Sequence, residues 1–204
     1  MKSPDKKKEI IHKYNSTAHF YNERYKEIQL QKFKRVIKKD LIKDKIILDA
    51  GCGTGLLFQY IIEKFLHKNK LFFNYIGVDI SWEMVRIFKN NRLVKNENAK
   101  KKINILLADL EHLPFKDSSY DCLFAFTSLQ NLPDIFKGLE ESLRILKDHS
   151  YFCLSILRKK INKDELLNFI NTYTMDFSYI DNNALEDIIF QGNALKKKKT
   201  FKNY

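Results

Sequence analysis

The chain has 204 residues, of which 44% are hydrophobic, and it carries a formal net charge of +12. This length and composition predict one globular domain with a sizeable core, and they exclude global disorder. No apolar run approaches the roughly 18 residues that a membrane span needs, and the charged start lacks the apolar core of a signal peptide. We therefore expect a cytoplasmic protein without membrane insertion.

The cysteines and other metal-ligating residues indicate neither a disulfide framework nor a metal site. The three cysteines, an odd number, are isolated at Cys52, Cys122 and Cys153 and include no CxxC pair. This usage is typical of a reducing compartment. No histidine, cysteine or carboxylate set has the spacing of metal ligands, so we expect no metal.

The positive charge is concentrated at the two ends of the chain. Residues 196–204 carry five lysines and no acids, and residues 1–13 have a net charge of +3, which leaves about +4 for residues 14–195. We predict a flexible basic N-terminus over 1–13, one domain over 14–195 and a basic C-terminal tail over 196–204. Such ends can hold RNA by counterion release, or they are simply solvated lysine-rich segments.

Strand and helix patterns alternate along the domain after an N-terminal capping helix predicted over 16–39. The predicted strands are 45–49, 72–79, 103–108, 121–126, 151–157, 175–180 and 185–190. The predicted helices are 56–66, 82–91 after the N-cap Ser81, 132–147 and 163–172. This order predicts a Rossmann-like, doubly wound α/β fold. Its seven-stranded sheet is expected to be mostly parallel, with an antiparallel edge strand and helices on both faces.

Glycine is scarce in the chain and concentrated at one turn. Three of the six glycines are Gly51, Gly53 and Gly55, between a predicted strand and a predicted helix. Glycine permits a sharp turn and lets a ligand approach the backbone without a Cβ in the way. An ordinary glycine turn between a strand and a helix is the alternative explanation.

Three aspartates follow three successive predicted strands and should meet at one rim of the sheet. They are Asp49, Asp79 and Asp109. Asp79 lies a little over twenty residues after Gly55, where a carboxylate can accept hydrogen bonds from ribose hydroxyls. Asp109, one strand further, can accept from an adenine amino group. Each aspartate alone could instead cap a helix, but three in register with the glycine turn indicate a nucleoside site.

The spacing of the turn separates two kinds of nucleoside cofactor. A dinucleotide fingerprint needs a third glycine at position 56, which is Leu56 here. The pattern is instead Asp-x-Gly-x-Gly-x-Gly from Asp49 to Gly55, and with four further motifs it resembles the class I S-adenosylmethionine-dependent methyltransferases. The likeness covers residues 14–190 and is closest to the methyltransferase-11 or UbiE-like group. The motifs are residues 47–55, 77–81, 108–115, 120–124 and 143–147.

The resemblance implies S-adenosylmethionine as the cofactor. In that family the three glycines approach the methionine end, Asp79 holds the ribose, and Asp109 with the Leu110 backbone reads the adenine. The full set of implied cofactor-binding residues is Tyr21, Asp49, Gly51, Cys52, Gly53, Gly55, Asp79, Ile80, Asp109, Leu110 and Thr127. The chain departs from the family at residues 147–150, where a glycine-rich turn is usual, and this change concerns the turn before the fifth strand.

The implied reaction is in-line transfer of a methyl group to an oxygen, nitrogen or carbon acceptor. Alignment and exclusion of water supply much of the acceleration, so a dedicated base is not required. The candidate catalytic residues are His19 and Tyr21 in the capping helix, and Gln130 and Asn131 after the fourth strand. Aromatic packing of a capping helix explains the first two equally well. Residues 131–134 do not form the Asn-Pro-Pro-Tyr motif of amino methyltransferases, because they follow the fourth strand too late.

The sequence leaves the methyl acceptor open between a small molecule and RNA. The basic ends favour RNA, whereas the mildly basic domain favours a small molecule. One alternative is a tRNA or rRNA methyltransferase with a small activator protein as its partner, to which residues 24–29 show a faint likeness. A second alternative is a binding module for S-adenosylmethionine without turnover.

Overall fold

The computed structural model describes residues 4–66, 72–95 and 103–196. The α-helices are α1 Pro4–Thr17, α2 Tyr21–Val36, α3 Leu56–Ile61, α4 Trp82–Asn90, α5 Arg92–Lys95, α6 Ile135–Arg144 and α7 Lys163–Asn171. The strands are β1 Lys45–Ala50, β2 Phe73–Asp79, β3 Ile103–Leu107, β4 Tyr120–Phe126, β5 Leu146–Leu157, β6 Thr174–Ile180 and β7 Asp187–Ala194. A π-helical turn, Ile62–Leu66, extends α3.

The seven strands form one sheet in the order β3-β2-β1-β4-β5-β7-β6. The pairs from β3 to β5 are parallel, and β7 is antiparallel to both β5 and β6. This arrangement confirms the predicted Rossmann-like fold. The antiparallel strand lies one position in from the edge, between β5 and β6. The chain order reverses on the two sides of β1, which is where open α/β sheets bind their ligands.

The core consists of two apolar layers, one on each face of the sheet. Along β1 the side chains alternate between them, since Ile47 packs in one layer and Leu48 in the other. The first layer contains the buried faces of α2, α3 and α4, and the second contains those of α6 and α7. A strand buried on both faces is an almost continuous apolar run, which is why β1 was readable from the sequence.

The observed helix boundaries follow from the capping residues. Ser81 is the N-cap of α4, and its Oγ accepts a hydrogen bond from the Met84 N–H at 3.2 Å, as the sequence predicted. Helix α6 begins later than predicted, at Ile135, because the carboxylate of Asp134 caps the N–H groups of Phe136 and Lys137. It ends earlier, at Arg144, because the chain enters β5 at Leu146.

The prediction of a flexible segment over residues 1–13 is wrong for residues 4–13, which belong to α1. The predicted helix 16–39 is also divided, because a 3₁₀ turn, Ala18–Phe20, separates α1 from α2. Ile10 and Tyr14 lie four residues apart and therefore on one face of α1, where both line the cleft described below. Their contacts explain why a lysine-rich segment is helical. Residues 1–3 lie outside the described part of the chain.

Most of the predicted basic tail, residues 197–204, also lies outside the described residues. Its first lysine, Lys196, packs against the domain: its N–H donates to Asp148, and its Nζ donates to the carbonyl oxygens of Leu143 and Arg144 at 2.6 and 2.8 Å. These hydrogen bonds attach Lys196 to the end of α6. The two roles considered for the tail, RNA binding and simple solvation, concern residues 197–204, which lie outside the described part of the chain.

We expect Gly55→Ala to destabilise the fold more than Gly53→Ala. Both glycines have positive φ, +87° and +53°, so both alanines carry backbone strain of roughly 1–2 kcal/mol. A Cβ at Gly55 would lie 2.2 Å from the Phe88 ring, whereas the nearest atom at Gly53 is 3.8 Å away on Tyr21. Because of this overpacking, Gly55→Ala should lose about 1–3 kcal/mol more of the free energy of unfolding than Gly53→Ala loses. Urea unfolding of the two variants measures the difference. Equal losses in the two variants would contradict this packing role.

Candidate functional site

A cleft opens at the carboxyl ends of β1, β2 and β4, where the chain order reverses. It is open to solvent at its mouth, and about 570 Å³ of empty space lies within it and at this opening. Helix α1 and the start of α2 cover it. The residues that line it are Ile10, Tyr14, Tyr21, Gly51, Gly53, Asp79, Ile80, Met84, Leu110, Phe126, Thr127, Ser128, Asn131 and Leu132.

The glycine turn is fixed to strand β2 by backbone hydrogen bonds. The N–H groups of Gly51 and Cys52 both donate to the carbonyl oxygen of Val78, at 2.8 and 2.9 Å. The Gly53 N–H donates to Oδ2 of Asp79 at 2.9 Å. The turn and the end of β2 therefore form one rigid corner of the cleft.

The three glycines of the turn have different surroundings. Gly53 faces the cleft, and Gly51 lies against Ser128, where a Cβ would come within 2.3 Å of the serine Cβ. Gly55 does not line the cleft, although the sequence analysis assigned it to the cofactor. It begins α3 in the left-handed conformation and packs against Phe88 in the core. Glycine is needed there for the turn and for packing.

Asp79 is the carboxylate that the structure places in the cleft wall. Its Oδ1 accepts from the Ser81 N–H at 2.8 Å, and its Oδ2 accepts from Gly53. Burial raises the pKa of this carboxyl, while the N–H groups of Ser81 and Gly53 act in the opposite direction. The next residue, Ile80, also lines the cleft. Both residues therefore lie where the sequence analysis predicted.

Asp49 and Cys52 lie behind the glycine turn and not in the main cleft. Asp49 is buried, and its carboxylate accepts a hydrogen bond from the Tyr75 hydroxyl. Burial raises the pKa of Asp49 to about 7, although the Tyr75 hydrogen bond acts to lower it. Asp49 and Cys52 line a smaller space that shares Tyr21, Gly51 and Phe126 with the cleft. Their contribution to the cleft is through the shape of the turn.

Asp109 is bound by a lysine that the sequence analysis did not consider. The Nζ of Lys7 on α1 lies 2.5 Å from Oδ2 of Asp109 and 2.6 Å from Oε2 of Glu111. Partial burial opposes ionisation of Asp109, but the hydrogen bonds from Lys7 and the Glu111 N–H, together with the charge of Lys7, outweigh it and lower the pKa of the carboxyl. Leu110 lines the cleft, whereas Asp109 forms a clasp with Lys7 at its edge. We call this contact the Lys7 clasp.

Further hydrogen bonds attach α1 and α2 to the rim of the cleft. The Asn15 amide oxygen accepts from the Ser81 hydroxyl at 2.7 Å, and the Asn22 amide oxygen accepts from the Thr54 hydroxyl. Tyr14 and Tyr21 lie beneath this cap as lining residues. Burial, with the nearby charge of Asp79, raises the pKa of Tyr14 to about 12, so its phenol is neutral and can donate a hydrogen bond.

A family model described as a methyltransferase domain, Methyltransf_11, matches residues 48–154. The chain belongs to this methyltransferase family. The match spans the glycine turn, Asp79 and Thr127, whereas Ile10, Tyr14 and Tyr21 of the cleft lie before it. It confirms the resemblance indicated by the order of the sequence motifs.

Curated relatives match this chain at moderate identity. Uncharacterized protein MJ1252 of Methanocaldococcus jannaschii is 29% identical over 192 residues, which cover 91% of this chain and 61% of that protein. The demethylmenaquinone methyltransferase of Porphyromonas gingivalis is 30% identical over 135 residues, which cover 66% of this chain and 52% of that protein. The chain therefore spans about half to three fifths of the length of these relatives.

Solved structures share the fold at low sequence identity. The magnesium protoporphyrin IX methyltransferase of Synechocystis PCC 6803, solved with bound S-adenosylmethionine, has a TM-score of 0.71 at 15% identity and covers 94% of this chain and 98% of that chain. The methyltransferase in a complex with the Haloferax volcanii Trm112 methyltransferase activator has a TM-score of 0.66 at 16% identity, covering 90% and 98%. At these identities the likeness shows the fold alone.

The cleft wall that follows β4 is where the sequence analysis expected contacts with the methyl acceptor, and we call it the acceptor side. Thr127 and Asn131 both line it, and the Asn131 Nδ2 donates to the Thr127 carbonyl oxygen at 3.1 Å. Gln130 donates to the same oxygen at 2.9 Å, but it does not line the cleft. His19 lies in the exposed 3₁₀ turn between α1 and α2 and does not line the cleft either. The structure therefore brings Tyr21, Thr127 and Asn131 together and leaves the other two candidates outside.

The sequence analysis missed the clasp residue Lys7 and several lining residues. These lining residues are Ile10, Tyr14, Met84, Phe126, Ser128 and Leu132. The spacing of residues 7, 10 and 14 places them on one face of a helix, and this pattern could have indicated that α1 packs on the domain. The pattern is hard to recognise because the segment is rich in lysine. Among the described residues that line the cleft there is no histidine, cysteine, lysine or glutamate.

The described part of the chain offers no cluster of three or more histidine, cysteine or acidic residues with the geometry of a metal site. Each helix described is too short or too polar to cross a membrane. The cleft itself fits S-adenosylmethionine in two respects. Gly53 leaves its backbone open to a ligand, and Asp79 can accept from a ribose.

The raised pKa of Asp49 should make stability depend on pH. Its usual value of 3.8 becomes about 7 in the folded protein, so the folded state holds a proton that the unfolded chain releases between pH 4 and pH 7. In this window the free energy of unfolding should fall as pH rises, by up to about 1.4 kcal/mol per pH unit from this group. Asp49→Asn should remove that slope, measured as the difference between variant and wild-type urea unfolding at each pH.

Asp121 provides a control of opposite sign. Despite partial burial, the hydrogen bond from Lys147 lowers the pKa of Asp121. Its contribution to stability is therefore present above the usual carboxyl pKa and is lost as pH falls. Asp121→Asn should cost stability at neutral pH and progressively less in acid. A pH slope unchanged by Asp49→Asn would show that folding does not raise the pKa of Asp49.

Proposed function

We propose that the chain is an S-adenosylmethionine-dependent methyltransferase that transfers a methyl group in line to an oxygen, nitrogen or carbon acceptor. The observation that carries this proposal is the rigid corner formed by Gly53 and Asp79 inside a capped cleft, at the reversal of strand order. Membership of the methyltransferase family supports the same activity. The residues proposed to hold the cofactor are Tyr21, Gly51, Gly53, Asp79, Ile80 and Leu110.

The residues of the cleft act by binding and orientation. When bound, S-adenosylmethionine supplies a methyl group on a cationic sulfur. Asp79 is placed to accept from ribose hydroxyls, and the apolar side chains of Ile10, Phe126 and Leu132 exclude water. Because alignment and desolvation provide much of the rate, neutral groups such as the Tyr14 phenol suffice to orient the acceptor.

We propose a small molecule as the methyl acceptor. The support is the cap: α1 and α2 cover the cleft, and Lys6 and Lys7 join α1 to its far rim through Leu132 and Asp109. A covered, largely apolar cleft suits a small acceptor better than a base in a folded RNA. The name of the demethylmenaquinone methyltransferase supports a small acceptor for that relative. RNA is the alternative, and the lysines of 197–204 are its main support.

A small activator protein is a second proposal, supported by the exposed edge of the sheet. Strand β3 is one of the two edge strands of the sheet, Leu107 at its end is 56% exposed, and Trp82 on the neighbouring α4 is 54% exposed. An open strand edge with apolar neighbours suits pairing with another chain. The methyltransferase of similar fold that is bound to the Trm112 activator supports this kind of partner.

The first test is binding of the cofactor and its product, S-adenosylhomocysteine, by calorimetry. Asp79→Asn keeps the size of the side chain but removes its charge. It should lower the affinity for both ligands about tenfold or more. Asp40→Asn is the matched control, because Asp40 is exposed before the amino end of β1, and its affinities should equal the wild type. If the wild-type chain, with or without an activator, binds neither ligand at millimolar concentration, the proposal is wrong.

The second test is transfer of tritiated methyl from S-adenosylmethionine into fractionated cell extract. We expect the label in the small-molecule fraction. Label in RNA would overturn the small-molecule acceptor while leaving methyl transfer intact. Cofactor binding without incorporation into any fraction would favour the alternative of a binding module without turnover. Incorporation only when an activator is co-expressed would support the second proposal.

A further inference from the structure

A cluster of buried polar side chains lies behind the acceptor side of the cleft. Lys32 on α2 and Asp187 at the start of β7 are each 1% exposed and form an ion pair at 2.7 Å. Ser155 on β5 donates to the same carboxylate at 2.9 Å. None of these three residues lines the cleft. They reach it through Thr127, whose hydroxyl contacts all three.

Thr127 has a strained backbone. Its φ is +57°, in the left-handed region that favours glycine and that a β-branched residue rarely adopts. The other non-glycine residues with positive φ in the described ranges carry aspartate, serine or histidine side chains, and they are Asp44, Ser118, His149 and Asp176. Such strain persists only where the surrounding structure holds it, and it is concentrated at functional sites.

The buried cluster supplies that restraint. The Thr127 N–H donates to the carbonyl oxygen and the hydroxyl oxygen of Ser155, at 2.8 and 3.1 Å. The Thr127 hydroxyl accepts from the Lys32 Nζ at 2.5 Å and donates to Asp187 at 3.0 Å. Lys32 and Asp187 therefore engage the hydroxyl in both of its roles, as acceptor and as donor.

The conformation of Thr127 determines the wall that follows it. Its carbonyl oxygen accepts from the side chains of Gln130 and Asn131, which hold the turn 128–131 against it. The Ser128 hydroxyl donates to the carbonyl oxygen of Ala50 at 2.7 Å, beside the glycine turn. Thr127, Ser128 and Asn131 all line the cleft. A change of backbone at Thr127 would therefore displace this part of the wall.

A buried ion pair is weak evidence of a stabilising role, because apolar replacement of both partners is often neutral or stabilising. The pair here is joined to a strained residue in the cleft wall. We propose that Lys32 and Asp187 are positioning residues that hold Thr127 in its strained conformation and so fix the acceptor side of the cleft. The proposal rests on methyl transfer as the function of the cleft. Neither residue touches the acceptor.

The test replaces both charges together, since a single replacement would leave an unpaired buried charge. Lys32→Met with Asp187→Leu should keep the unfolding midpoint near the wild type. The rate of tritiated methyl transfer at saturating cofactor should fall about tenfold or more, because a small misplacement is enough to slow an aligned transfer. The affinity for S-adenosylhomocysteine should stay within about threefold. In the crystal structure of the variant, residue 127 should leave the left-handed region.

The matched control is Arg158→Met with Asp181→Leu. This exposed ion pair, at 2.9 Å, joins the segment after β5 to the loop before β7, but it makes no contact with Thr127. Its rate should equal the wild type. A second pair of variants serves if the double replacement does not fold. Thr127→Val keeps the ion pair but lacks the hydroxyl and should be slow, whereas Thr127→Ser keeps the hydroxyl and should restore the rate.

Wild-type rates in the Lys32 and Asp187 double variant, or in Thr127→Val, would overturn the proposal. So would a slow variant in which residue 127 keeps its positive φ, because the pair would then act by another route. Failure of the proposed function is distinct from both results. In that case the wild type neither binds S-adenosylhomocysteine nor transfers methyl, and the φ of residue 127 in the variants still reports whether the pair holds it.

Discussion

The attachment of the glycine turn to β2 is the constraint on which the cleft depends. Two N–H groups of the turn share the carbonyl oxygen of Val78, and a third reaches the carboxylate of Asp79. This geometry requires left-handed φ at Gly51, Gly53 and Gly55. Only Gly53 uses the missing Cβ to leave open space, since a Cβ at either of the others would overlap a neighbour. The concentration of glycine is thus chiefly a requirement of the turn itself.

Helix α1 is held more weakly over the cleft than the corner beneath it. The Lys7 clasp is partly exposed, with side-chain exposures of 28% for Lys7 and 24% for Asp109, and ion pairs of this kind contribute about 0.2–1 kcal/mol. The other polar attachments of α1 are side-chain hydrogen bonds at Lys6 and Asn15, whereas α2 is fixed by core packing and by the buried Lys32–Asp187 ion pair. Helix α1 can therefore move without disturbing the sheet, and a ligand can enter a corner that is already formed. A weakly attached α1 over a rigid corner is in keeping with the ligand exchange that the proposed function requires.

The sheet was predictable because each strand is an apolar run between turn residues, and because strands alternate with helices. The cap of α4 was also readable, since Ser81 lies directly before the apolar pattern of the helix. Helix α1 was not, because the surface that stabilises it belongs to the cleft, more than a hundred residues away at Asp109 and Leu132. Gly55 looks the same as Gly51 in sequence, and only the position of the Phe88 ring separates their roles.

The two sides of the cleft differ in how they are encoded. At the glycine turn the groups are backbone N–H donors and a carboxylate at the end of its own strand, so local spacing reveals them. In the wall that follows β4, Thr127 is held by side chains from α2, β5 and β7, which only the fold brings together. No local pattern marks Lys32 or Asp187. The sequence therefore reveals the turn and Asp79 before it reveals the wall at Thr127, because this wall is built from long-range contacts that can change without altering any motif.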